Sequence, residues 1–108
     1  MTGPALLESA RERRTVARLE RLDARVRAPK FSPDGQRGWP DRVVLLPGGL
    51  ALFVEFKRDG QRERPLQAHR RNELTRLGFV CLIVASDADA DALVEYAMRV
   101  LRGGRDAL

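Results

Sequence analysis

Asp41, Glu55 and Lys57 are the residues of this chain whose types and spacing fit a reaction. Glu55 and Lys57 lie near the end of an otherwise apolar run, Leu50 to Lys57, with the sequence LALFVEFK. Strand side chains alternate, so residues two apart share a face, and these two project together roughly 7 Å apart. A hairpin made from Arg42–Leu46 and Leu50–Lys57 returns Asp41 to the same end. With a three-residue connection, Pro47 to Gly49, Asp41 falls opposite Glu55 and on its face. With a two-residue connection it falls opposite Phe56, on the other face. Register decides between them, and the expectation is the three-residue connection. Two carboxylates beside an ammonium suit a hard divalent cation, Mg²⁺ or Mn²⁺. Such an ion polarises phosphoryl oxygens and makes a water nucleophilic. The lysine would orient that water or meet the charge that develops at phosphorus. Spacing alone fits a plain salt bridge at a strand end as well.

The elements that must position these residues are readable. Leu6 to Val26 lacks Gly and Pro and is rich in Ala, Leu, Arg and Glu, which predicts a helix. Val16, Leu19, Leu22 and Val26 make its apolar stripe. Pro29 ends it, Ala28 to Phe31 reads as a short edge strand, and Ser32 to Pro40 is a polar loop. The two hairpin strands carry apolar residues on both faces, as a sheet covered by helices on both sides requires. Pro65 opens a second helix and Gly78 lies just past its end. Phe79 to Ala85 is an apolar run of strand length. Ser86, with Asp89 three residues on, caps a third helix, whose stripe is Leu93, Val94, Ala97 and Leu101 and which Gly103-Gly104 ends. The order is helix, three strands, helix, strand, helix: an α/β domain with a mixed sheet, spanning residues 1–108 as one unit.

Composition narrows the class. Hydrophobic residues make up 44% and charged residues 32%, a folded and soluble balance. No apolar run reaches the ~20 residues of a membrane span, and no N-terminal stretch reads as a secretion signal. The single cysteine, Cys81, sits in an apolar run and reads as a core residue in a reducing, cytoplasmic setting. The net charge of +5 draws polyanions, nucleic acid first among them. Of 20 basic residues only Lys30 and Lys57 are lysines; a coding bias toward arginine is the alternative source of the basic excess, but it does not explain a lysine kept at position 57. The chain has no Cys/His cluster for zinc, no phosphate-binding P-loop and no nucleophile–histidine triad. Its one histidine, His69, reads as solvated or phosphate-contacting. Trp39 either stacks on a base or sugar or packs against its own loop.

Gly38-Trp39-Pro40-Asp41 followed by Glu55-Phe56-Lys57 on a strand resembles the PD-(D/E)xK nuclease superfamily, the restriction-endonuclease-like fold. The fuller pattern is similar to the virus-type replication–repair nuclease (VRR-NUC) domain, found in short phage proteins and in a eukaryotic repair enzyme. In that family an early helical Glu, a basic residue, G-x-P-D, a hairpin, E-x-K and a helical Gln follow one another. Here they match Glu8 or Glu12, Lys30, Gly38 to Asp41, Glu55 to Lys57, and Gln67. The resemblance implies that Asp41, Glu55 and the Phe56 carbonyl bind the metal, with Glu8 the better of the two helical candidates. It also implies that Gln67 orients the site. Independently, Gln67 shares a helix face with Leu74 and so points inward.

The resulting expectation is a DNA endonuclease dependent on Mg²⁺ or Mn²⁺, selective for flapped or four-way-junction DNA in replication, repair or recombination. Its DNA-facing cations would be Lys30, Arg37, Arg42, Arg58, Arg62, Arg64, Arg70 and Arg71. Two-fold junction symmetry suggests a homodimer, with the stripes of the first and third helices offering apolar surface. The alternative is a non-catalytic basic DNA-binding module, or an accessory subunit, on the same fold. A bacterial or phage-infected cytoplasm is the expected location.

Overall fold

A computed structural model describes residues 9–103. Helix α1 (Ala10–Leu22) starts at Ser9, whose hydroxyl accepts the Glu12 N–H at 3.0 Å. It stops a turn earlier than its composition predicts. The Asp23 carboxylate accepts the Arg25 N–H at 2.9 Å and also binds the Arg25 guanidinium, a local alternative to helix. Val26 is still buried, at 1% exposure, but the extended segment after the helix carries it.

Strands β1 (Arg42–Leu46) and β2 (Leu50–Phe56) form the hairpin, antiparallel, in register from Arg42 opposite Val54 to Leu46 opposite Leu50. The connection is therefore the three residues Pro47 to Gly49. Gly48 and Gly49 both have positive φ, at 92° and 78°, a conformation open to glycine at little cost. Strand β3 (Val80–Val84) pairs with β2 in parallel, giving the sheet order β1-β2-β3. The chain before β1 adds to its outer edge. Arg27 and Leu45 exchange backbone hydrogen bonds at 3.2 and 2.7 Å, and the Phe31 N–H reaches the Asp41 carbonyl at 2.9 Å. Pro29 has no N–H to give, so this ladder is broken into isolated bridges.

Helix α2 (Pro65–Arg76) begins at proline, and Gly78, with φ 97°, follows its end. Helix α3 (Asp87–Gly103) is capped by Ser86, whose Oγ accepts the Asp89 N–H at 3.0 Å. The Asp89 carboxylate in turn accepts the Ala85 N–H at 2.9 Å. On one face of the sheet Leu52, Val54, Val44 and Leu46 pack with Leu19 of α1 and with Leu93, Val94, Ala97 and Val100 of α3. Full burial of each such aliphatic is worth about 1.5–3 kcal/mol. On the other face Phe53 meets Phe31 and Phe79 edge-on, with ring centroids 5.1 and 5.3 Å apart, below α2.

Two expectations need correction here. The stripes of α1 and α3 are not surface available to a second subunit; the core consumes them. The other is Cys81, read as a core residue: the strand that carries it is only partly buried. This strand lies at the edge of the sheet, with Phe79 41% and Ile83 38% exposed. Among the described residues no helix is long and apolar enough to cross a membrane. Cys81 is half-buried rather than central.

Candidate active site

The hairpin register aligns Asp41, just ahead of β1, with Glu55. The Asp41 carboxylate accepts the Phe56 N–H at 2.7 Å, an amide just beyond the paired part of the hairpin. Its Oδ2 thus closes the strand end, and the residue remains exposed. Lys57 continues the parallel ladder, its N–H bonded to the Val84 carbonyl at 2.9 Å. The main chain therefore fixes Glu55 and Lys57 against β3 before their side chains make any contact.

Both side chains are buried, Glu55 at 4% and Lys57 at 6% residue exposure, although charged residues are almost never buried without partners. The Lys57 ammonium donates to Gln67 Oε1 at 2.6 Å and lies 3.7 Å from Glu55 Oε2. Gln67 points inward from the first turn of α2, and the same oxygen accepts the Arg64 N–H at 2.8 Å. Glu55 Oε2 itself is buried and has no hydrogen-bond partner. An unsatisfied buried carboxylate oxygen is costly, and the cost shows in its proton affinity. Burial pushes the Glu55 carboxyl up to about 7, against the pull of Lys57 and with the help of Glu63 and Asp41. Loss of solvation also raises Asp41, opposed by the Phe56 N–H, Lys57 and Arg42.

The donor set fits a hard cation. Glu55 Oε2 is an oxygen donor with nothing to donate to, and a second carboxylate stands at the same strand end. Among the described residues no group of three or more His, Cys, Asp or Glu side chains could by itself enclose a metal. An ion held here would complete its shell from a main-chain carbonyl such as that of Phe56 and from water, as Mg²⁺ commonly does.

The glycine of the G-x-P-D stretch has a spatial role. A Cβ on Gly38 would lie 2.5 Å from Leu66 Cγ, and its φ is +83°. The 32–40 loop can therefore press onto the start of α2. Trp39 completes that contact: Arg70 stacks over its ring at 4.5 Å, Phe31 meets its edge, and its Nε1 donates to Gln36. Trp39 thus packs against its own loop and α2.

The predicted cations divide into groups. Lys30, Arg37, Arg58, Arg62 and Arg64 are exposed, the last three on the loop between Lys57 and α2. Arg42 does not belong with them. Strand alternation turns it to the α1 side, where it is 8% exposed, binding Glu12 at 2.9 Å and the Ala28 carbonyl at 2.8 Å. Arg70 is committed to Trp39 and to the Arg37 carbonyl. Arg71 grips Glu63 with two bonds of 2.9 Å. Glu12 is thus a partner of Arg42, while Glu8 lies outside the described residues. His69 is exposed. Sequence reasoning missed Glu63, whose carboxyl lies against that of Glu55 and is held low by Arg71. Its only sequence signal is an acidic residue in an arginine-rich loop.

Three comparisons bear on this arrangement. No family model matches the chain. A protein of Acyrthosiphon pisum secondary endosymbiont phage 1, named "Putative nuclease p44", is 41% identical over 59 residues, 55% of this chain. The match spans 63% of that protein's own length. A solved structure named "VRR_NUC domain" superposes with a TM-score of 0.68 at 30% identity, over 82% of this chain and 98% of that one. A second, "VRR_NUC domain protein", superposes with a TM-score of 0.65 over 85% of each chain; at 16% identity it speaks to the fold alone. Near-complete coverage of the first solved domain at 30% identity, on the same α/β frame, shows that this chain belongs to the VRR-NUC domain family.

Proposed function

We propose that this chain is a metal-dependent DNA endonuclease that hydrolyses phosphodiester bonds, with Asp41, Glu55 and Lys57 as its catalytic residues. The observation that carries this reading is Glu55 Oε2, a buried carboxylate oxygen with no hydrogen-bond partner, beside a buried lysine. A structural ion pair would bring the ammonium onto the carboxylate. Here the ammonium stands off at 3.7 Å and binds Gln67 instead, leaving the carboxylate open to another cation. Asp41, Glu55 and the Phe56 carbonyl would hold Mg²⁺ or Mn²⁺, which supplies Lewis-acid polarisation of the phosphate and activation of water. Asp41 remains exposed at the mouth of the site. Lys57, fixed by Gln67, presents a compact ammonium to the charge that builds up on the phosphate oxygens.

Support for DNA as substrate comes from the family and from the charge. The exposed arginines of the 58–64 loop border the site and would track phosphates. Those arginines would meet backbone phosphates rather than base edges, so shape is a better basis for selection than base sequence, and branched DNA, flaps or four-way junctions, is the proposed substrate. A homodimer suits a two-fold junction. Because the core buries the α1 and α3 stripes, the dimer would use another surface, and among the described residues the β3 edge, with exposed Ile83 and Phe79, is one that offers apolar area. Cleavage of labelled flap, junction and plasmid DNA with Mn²⁺, and with chelator, tests the proposal. Metal-independent cleavage, or none on any of the three, would overturn it.

A further inference from the structure

Glu63 is the charged group near the site that the proposed reaction leaves without a role. It precedes α2, and Arg71, two turns into that helix, binds both its oxygens at 2.9 Å. Its side chain is only 15% exposed. The planar guanidinium fork fixes a carboxylate in orientation as well as position. Each carboxylate oxygen can accept about two hydrogen bonds, so the grip of Arg71 leaves acceptor capacity on both. On its other side Glu63 lies against the Glu55 carboxyl.

Two carboxyls in contact inside a protein need something positive between them or beside them. Asp41 and Glu63 each bear on the Glu55 carboxyl, and against the three stand two cations, Lys57 and Arg71. Arg42, the next cation, is neutralised by Glu12. Arg71 compensates Glu63, and Lys57 is drawn to Gln67, so the shortfall is concentrated at Glu55, where Oε2 is buried without a partner. One divalent cation with its water shell would remove that shortfall, and the waters of that shell would need acceptors.

We propose that Glu63 is an accessory carboxylate of this site: held by Arg71, it accepts hydrogen bonds from the water shell of the divalent cation that Asp41 and Glu55 bind. The inference rests on the reading of Asp41 and Glu55 as metal ligands. It makes Glu63 a positioning residue that acts on the ion through water, and makes Arg71 its support rather than a DNA contact. Partners of this kind typically contribute about 10–100-fold to metal affinity.

The test is Mn²⁺ affinity of the whole chain without DNA, by titration calorimetry, alongside thermal unfolding. Glu63→Gln should weaken Mn²⁺ binding about tenfold. Glu63→Asp, which keeps the charge, should recover part of the loss. Arg71→Lys, which keeps a cation but not the fork, should weaken binding several-fold and guards against a Glu63 variant that fails to fold. Mn²⁺ affinity within twofold of wild type in folded Glu63→Gln or in Arg71→Lys would overturn the inference. Glu55→Gln separates the two levels. If it loses Mn²⁺ binding while Glu63→Gln does not, the metal site stands and the role of Glu63 falls. If Glu55→Gln binds Mn²⁺ unchanged, the site itself has been misread and both fall.

Discussion

Lys57 Nζ donates to Gln67 Oε1 across 2.6 Å, a closer approach than the 3.7 Å that separates it from Glu55 Oε2. Because Gln67 Oε1 also accepts the Arg64 N–H, the start of α2 and the lysine are tied through one atom. Guanidinium is planar and wider than ammonium and cannot occupy the same geometry. Lys57→Arg should therefore reduce single-turnover DNA cleavage by about 10²–10³, with DNA affinity kept within a few-fold. An arginine variant cutting within a few-fold of wild type would reduce Lys57 to an ion-pair partner.

Asp41 has two duties that can be separated. Its Oδ2 accepts the Phe56 N–H at 2.7 Å, while its charge is assigned to the metal. Asp41→Asn retains an acceptor for that amide, and Asp41→Ala does not. Both should abolish cleavage, but only alanine should lose stability, by about 1 kcal/mol. Thermal unfolding of the two variants checks this; equal losses would deny the strand-end role.

The Glu55 carboxyl gives the metal-free protein a particular pH dependence. In the folded chain it holds its proton up to about 7, against 4.5 for an ordinary glutamate. Between those values the folded state binds more protons than the unfolded one. Its stabilising contribution is therefore complete below pH 4.5 and is lost as pH rises through 7, by at most about 3 kcal/mol. Asp41 shifts in the same direction. Asp23, Glu63 and Asp87, held low chiefly by arginines, act below that window. Denaturant unfolding at pH 5 and pH 8 should show lower stability at the higher pH without metal, and Glu55→Gln should flatten the difference. Metal binding requires the ionised carboxylate, so Mn²⁺ affinity should climb with pH up to about 7 and be accompanied by proton release.

Arg42 and the loop arginines should respond differently to substitution. Arg42→Ala takes the guanidinium from the Glu12 carboxylate, whose side chain is only 12% exposed, and from the Ala28 carbonyl, and should cost about 3 kcal/mol of stability. Arg62→Ala leaves stability near wild type. It should weaken DNA binding and lower the slope of log affinity against log salt by about one phosphate contact. An Arg42 variant that unfolds like wild type but binds DNA poorly would restore it to the DNA-facing set.

Much of this was legible because it is local. The 2.0-residue period of the hairpin, the glycines at Pro47 to Gly49 and the proline and glycine bracketing α2 each follow from backbone preferences of a few adjacent residues. Once the three-residue connection is granted, Asp41 must face Glu55, and the inward Gln67 follows from its helical spacing to Leu74. What was not legible depends on residues far apart in sequence. Nothing near Arg42 shows that it turns to α1 and meets Glu12; the alternation of β1 implies the face, but not the partner. The Arg71 grip on Glu63 depends on the loop before α2 folding back along the helix. The early end of α1 reflects Asp23 competing for backbone hydrogen bonds, which helix propensity averages over. The exposure of β3 follows from its place at the sheet edge, which an apolar run cannot reveal by itself.

The central claim is that Glu55 and its partners hold a metal that cuts DNA. Single-turnover cleavage of end-labelled four-way junction and flap DNA, by wild type and Glu55→Gln, with Mn²⁺ and with chelator, tests it most directly. The account predicts cleavage by wild type with Mn²⁺ alone. It predicts none with chelator or from the variant, while both proteins bind the DNA with similar affinity. Undiminished cleavage by a folded, purified Glu55→Gln protein would contradict it.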